Sequence, residues 1–327
     1  MIKKGTQLII RPPRINYNIK SIPNSMIIGG VGEIQRVAAP FTNIKGDLLP
    51  GSFYPTPVEN INDRNTCIIY LHGNASNQME GRFLIGLFPP VGISLFCFDF
   101  DGCGLSTGDM VSLGYYEQED VKCAMDMLHE KFGVQDFILW GRSMGAAVTV
   151  MATGKFNTDN RIKAILIDSP YASVRYIVKG LGKEKRIPRW IADRVYKKVR
   201  KNVRNEANFD LQEISPITDM TKITCPVFMI HAIDDHFVSV KNSKLLYASC
   251  PSMHKRLRII AGEHNTPRPP EVLKEAVIFL CHAVNINIEF PEEEEEILNL
   301  ERAPTKKDQH FRDLNKMIHA QNHHKNK

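Results

Sequence analysis

Six apolar runs set what this chain can fold into. Cys67–Leu71 ends at His72-Gly73, Ser94–Phe100 at Asp101-Gly102, and Phe137–Trp140 at Gly141. Ala164–Ile167 ends at Asp168, Pro226–Ile230 at His231-Ala232, and Arg256–Ile260 at Ala261-Gly262. As a set they lack polar alternation, which reads as strands covered on both faces. Helical patterns lie between them, near 115–132, 144–154, 240–249 and 269–285. Repeated strand, helix, strand order requires a parallel sheet with right-handed crossovers. Chemistry is then expected at the carboxyl ends of the strands, where the glycines and polar residues cluster. The segment 26–56 reads as antiparallel β-structure at one sheet edge. The fold class is α/β: a mostly parallel central sheet with helices on both faces and a short helical cap.

A chain of 327 residues with 43% apolar residues suits one large α/β domain over about 35–290. An N-terminal extension covers 1–34, and a charged tail, 291–327, follows; partial disorder is expected after about residue 297. The net charge of +6 is mild and does not point to nucleic acid. Seven cysteines, an odd number with no CxxC pair, read as reduced intracellular usage. Leu8-Ile9-Ile10 is too short for a signal-peptide core, and no stretch nears the ~20 apolar residues of a membrane span. A soluble cytoplasmic protein is therefore the expectation.

Residues 171–222 interrupt the alternation and read as a cap inserted over the active site. From Lys179 to Arg204 there are eleven Lys and Arg against Glu184 and Asp193. Pro188 opens a helix to about 203, in which Ile191, Val195, Val199 and Val203 form an apolar stripe beside a basic face. Peripheral contact with an anionic membrane through that face is one expectation; packing of the stripe on the core, with the basic face in solvent, is the other.

Gly141-Arg142-Ser143-Met144-Gly145 matches G-x-S-x-G between a buried strand and a helix start rich in small residues, the context this motif requires. A tight strand-to-helix turn lifts the Ser143 hydroxyl above the sheet. A serine hydroxyl needs an adjacent base, and the base an orienting acid. His264 directly follows the run Arg256–Ile260, whereas His129 lies in a helix and His310, His319, His323 and His324 lie in the tail. His231 reads as structural. Asp234 and Asp235, just past Pro226–Ile230, both qualify as the acid. Oxyanion donors are expected from the Met144 N–H and from the loop after Cys67–Leu71, with Asn74 N–H first and Ala75 N–H second. The segment Phe98–Ser106, with two aspartates and two glycines, reads as a structural turn that supports the site.

Together, His72-Gly73-Asn74, Asp99 to Gly108, Gly141 to Gly145, Asp235 and His264 resemble the α/β-hydrolase superfamily over about residues 35–285. Within it the chain resembles the serine aminopeptidase-like and monoacylglycerol-lipase-like hydrolases, including the Bem46-like and depalmitoylating members. The resemblance favours Asp235 over Asp234, because Asp235 stands three residues before Val238. It implies ester or thioester hydrolysis, of an acyl-lipid or acyl-protein, without metal or cofactor. A serine aminopeptidase-like peptidase and a non-catalytic binding protein of the same fold are the alternatives.

Overall fold

The computed structural model describes residues 6–7, 9–29, 31–58, 64–184 and 186–288. The tail expected at 291–327 lies outside them. The central sheet has eight strands: β1 (Val37–Ala38), β2 (Gly51–Tyr54), β3 (Thr66–Leu71), β4 (Ser94–Phe98), β5 (Asp136–Arg142), β6 (Ile162–Asp168), β7 (Val227–Ala232) and β8 (Lys255–Ile260). Their spatial order is β1-β2-β4-β3-β5-β6-β7-β8. β1, β2 and β4 pair antiparallel, as the segment 26–56 suggested, and every other pairing is parallel. The helices are α1 (Glu117–Phe132), α2 (Met144–Phe156), α3 (Val174–Glu184), α4 (Arg189–Ala207), α5 (Pro216–Met220), α6 (Lys241–Ser249) and α7 (Pro270–His282).

Burial on both faces explains the apolar runs. Ile69, Leu71 and Leu139 pack with Val121 and Leu128 of α1, Val148 of α2 and Leu246 of α6. Their chain neighbours Ile68, Tyr70, Ile138 and Trp140 point the other way, as successive strand residues must, onto Leu84, Ile85 and Phe88 and onto Leu273, Val277 and Leu280 of α7.

The run Arg256–Ile260 departs from that pattern. β8 is the edge strand, and Ile260 is its one buried residue. Arg256 and Arg258 point to solvent, each 2.5 Å from a carboxylate oxygen of Glu275 on α7.

The cap also differs from the expected stripe. Tyr196, Val203 and Ala207 are buried and Val199 packs beside them, while Val195 is 40% exposed. The buried face of α4 is thus rotated by one residue. It packs on Ala147 and Met151 of α2 and on Val238, just after β7. Among the described residues, no helix is long and apolar enough to cross a membrane.

Candidate active site

Ser143 sits between β5 and α2 with φ 53° and ψ −112°, a left-handed conformation that few non-glycine residues adopt. Its N–H donates to the carbonyl of Asp168 at the end of β6 (2.8 Å). The flanking glycines make this turn possible through close approach. A Cβ on Gly145 would stand 1.9 Å from the Leu71 carbonyl oxygen, and one on Gly141 would stand 2.2 Å from the Gly145 carbonyl oxygen. Only glycine lets α2 begin directly against β3 and β5. Backbone held this way at a candidate site stores strain that the surrounding packing must sustain.

The three distant residues come together above the sheet. His264 Nε2 lies 3.0 Å from Ser143 Oγ, and His264 Nδ1 lies 2.5 Å from Asp235 Oδ2. With Nδ1–H donating to the carboxylate, Nε2 presents its lone pair to the hydroxyl. Asp235 is buried, whereas Asp234 is exposed. Asp235 Oδ1 accepts the backbone N–H groups of Phe237 (2.9 Å) and Val238 (2.7 Å). Burial pushes its carboxyl up, but hydrogen bonds from His231, His264 and the Val238 amide outweigh that and hold it well below the usual carboxylate range. The Phe237 ring lies edge-on to the imidazole, with 5.3 Å between centroids.

The loop after β3 abuts the nucleophile, since a Cβ on Gly73 would lie 3.8 Å from Ser143 Cβ. His72 fixes that loop. Its Nε2 accepts the Phe100 N–H (3.0 Å), which leaves Nδ1–H to donate to the Gly73 carbonyl (2.8 Å). Asn74 and Ala75 follow, and Ala75 has φ 60°. Met144 opens α2, where a helix leaves its first amides without intrahelical partners. Asp99 is a brace: it accepts from Gln78 N–H, Leu105 N–H and Tyr17 Oη–H. A recess of about 390 Å³ within the 171–222 segment, with Arg175, Tyr196 and Arg200 in its walls, contains none of Ser143, Asp235 and His264.

Two further residues support the site: His231, read from the sequence as structural, and Arg268, which sequence reasoning missed. His231 Nε2 lies 2.6 Å from the Val238 carbonyl and 3.3 Å from Asp235 Oδ2, and its Nδ1 meets Ser243 Oγ at 2.6 Å. Its position four residues before Asp235 was the available signal. Arg268 grips Asp168 and also reaches the His264 carbonyl (3.3 Å). Burial raises the Asp168 carboxyl, yet the Arg268 charge and hydrogen bonds prevail and hold it low.

Comparison with known proteins agrees with this fold. The profile of the alpha/beta hydrolase fold family matches residues 66–178. The protein YfhR of Escherichia coli K12 is 26% identical over 283 residues, 84% of this chain and 90% of YfhR. The Pyrococcus furiosus esterase Pf2001 superposes with a TM-score of 0.62 at 20% identity, covering 84% of this chain and 98% of the esterase. The Pyrococcus horikoshii acylaminoacyl peptidase superposes with a TM-score of 0.56 at 14% identity, covering 81% of this chain and 44% of the peptidase. Sheet order, strand-to-helix turn and family match lead to one conclusion: the chain has the α/β-hydrolase fold, and its residues 66–178 are similar to the family of that name.

Proposed function

We propose that the chain is a serine hydrolase that cleaves carboxylic esters or thioesters, with an acyl group on a lipid or a protein as the substrate class. The observation that carries this reading is the continuous line from Ser143 Oγ through the His264 imidazole to Asp235 Oδ2, with steps of 3.0 and 2.5 Å. Ser143 attacks the acyl carbon while His264 Nε2 takes the hydroxyl proton. Negative charge forms on the former carbonyl oxygen. The Met144 N–H and the Asn74 or Ala75 N–H supply its donors. Collapse of the tetrahedral adduct expels the alcohol or thiol, which receives the proton from His264. Water, deprotonated by the same imidazole, then releases the acid. Asp235 stays ionised and stabilises the imidazolium formed in each half-reaction.

The decisive experiment is fluorophosphonate labelling of the full chain, beside Ser143→Ala and with p-nitrophenyl esters and aminoacyl arylamides as substrates. Labelling that disappears in Ser143→Ala, with ester turnover above arylamide turnover, is the expected result. Faster arylamide cleavage identifies a peptidase. A folded chain that takes no label is a binding protein.

A further inference from the structure

The solvent face of α4 carries a pattern that packing does not explain. Trp190, Arg194, Lys197, Lys201 and Arg204 recur at helical spacing and are all exposed, with Lys198 beside them. Trp190 is 66% exposed, and the apolar Ile187, three residues before it in the chain, is 40% exposed. The acidic residues of this helix are engaged elsewhere: Asp193 faces Arg175 and Arg189, and Glu206 accepts from Gln7. Among the described residues, none of Arg194, Lys197, Lys198, Lys201 and Arg204 forms an ion pair within 4.0 Å with an acidic group of the cap. The opposite face, with Tyr196, Val203 and Ala207, is buried on α2 and the loop after β7. The helix therefore lies along the surface with its cations outward.

We infer that this face docks the protein on an anionic membrane leaflet. An indole at one end of a cationic stripe suits the headgroup region, where its ring is buried and its N–H stays hydrated. The cations meet the negative surface potential, and their aliphatic stems lie along the apolar boundary. Nucleic acid would be served by the charges alone and offers no burial to Trp190 and Ile187 along a phosphate backbone. A leaflet accepts both parts of the pattern, and docking lays it against the element that packs on the nucleophile helix. Acyl-lipids or lipidated proteins would then meet the enzyme in place. This consequence rests on the ester-hydrolase reading, whereas the docking itself does not.

The test is co-sedimentation of the full chain with phosphatidylcholine vesicles, with and without roughly one third phosphatidylserine, at about 0.15 M salt. The protein is expected to partition onto the anionic vesicles alone and to show a blue shift of indole emission that Trp190→Ala removes. The triple change Arg194→Gln, Lys197→Gln, Lys201→Gln is expected to weaken partitioning on the order of 100-fold. Lys197→Arg with Lys201→Arg, which keeps the charge, is expected to bind as the parent does. Ser143→Ala should also bind as the parent does, so loss of the catalytic reading leaves this result standing. Equal partition onto both vesicles overturns the inference, as does an unchanged triple variant. Retention by a DNA duplex in place of vesicles overturns it too.

Discussion

Arg268 closes on Asp168 through two guanidinium hydrogen bonds, 2.7 Å from Nε and 2.6 Å from Nη2, with both residues buried. The same guanidinium reaches Ser169 Oγ (3.0 Å) and the His264 carbonyl. The Asp168 carbonyl receives the Ser143 N–H. One ion pair thus ties the strand end beneath the nucleophile to the loop that carries the imidazole.

Arg268→Met leaves the Asp168 carboxylate buried and unpaired, which costs about 3–5 kcal/mol. Urea unfolding should show that loss. Ester turnover should fall through kcat more than KM, because the His264 loop loses its anchor. Asp168→Leu combined with Arg268→Met should regain much of the stability without regaining kcat. A double variant as active as the parent would refute the positioning role.

Asp235→Asn should lower kcat about 10³- to 10⁴-fold, because an amide favours the wrong imidazole tautomer. Asp234→Asn should stay near the parent value, since that side chain is exposed. Steady-state turnover of one p-nitrophenyl ester by both variants decides between the two carboxylates. A large loss in Asp234→Asn and none in Asp235→Asn would reverse the assignment.

Gly145→Ala sets a methyl group 1.9 Å from a backbone carbonyl oxygen of β3, and backbone cannot step aside cheaply. Overpacking of this kind costs about 1–3 kcal/mol or more. The melting temperature should drop, and fluorophosphonate labelling should fall with it as the turn shifts. A melting temperature equal to the parent's would contradict the close approach.

Acid should weaken the fold through Asp168 and Asp235, both held below the usual carboxylate range. A depressed carboxyl means that the unfolded chain binds protons first. The stability these groups contribute is complete above about pH 4 and is lost as pH falls through the depressed folded values. Denaturant midpoints at pH 5 and pH 3 should differ more for the parent than for the Asp168→Leu, Arg268→Met double variant. Equal differences would count against the pair.

The central strands were legible because burial on both faces removes polar alternation, and Phe137 to Trp140 advertises that directly. β8 misled for the converse reason: an edge strand keeps Arg256 and Arg258, and only the sheet order makes it an edge. On α4, valines four apart fit two neighbouring faces equally well, and contact with α2 selected the one containing Tyr196. The approach of His264 to Ser143 could be anticipated because the turn motif and the strand end are local signals. The partnership of Arg268 with Asp168 spans 100 residues of chain and leaves no local mark. The choice between adjacent aspartates also depended on the loop, where the amides of Phe237 and Val238 converge on Asp235 alone.

Val238 belongs to two structures at once. Its amide holds the Asp235 carboxylate, and its side chain lies in the cluster that seats the cap helix. A displacement of the cap helix would therefore reach, through Val238, the carboxylate that His264 Nδ1 meets at 2.5 Å.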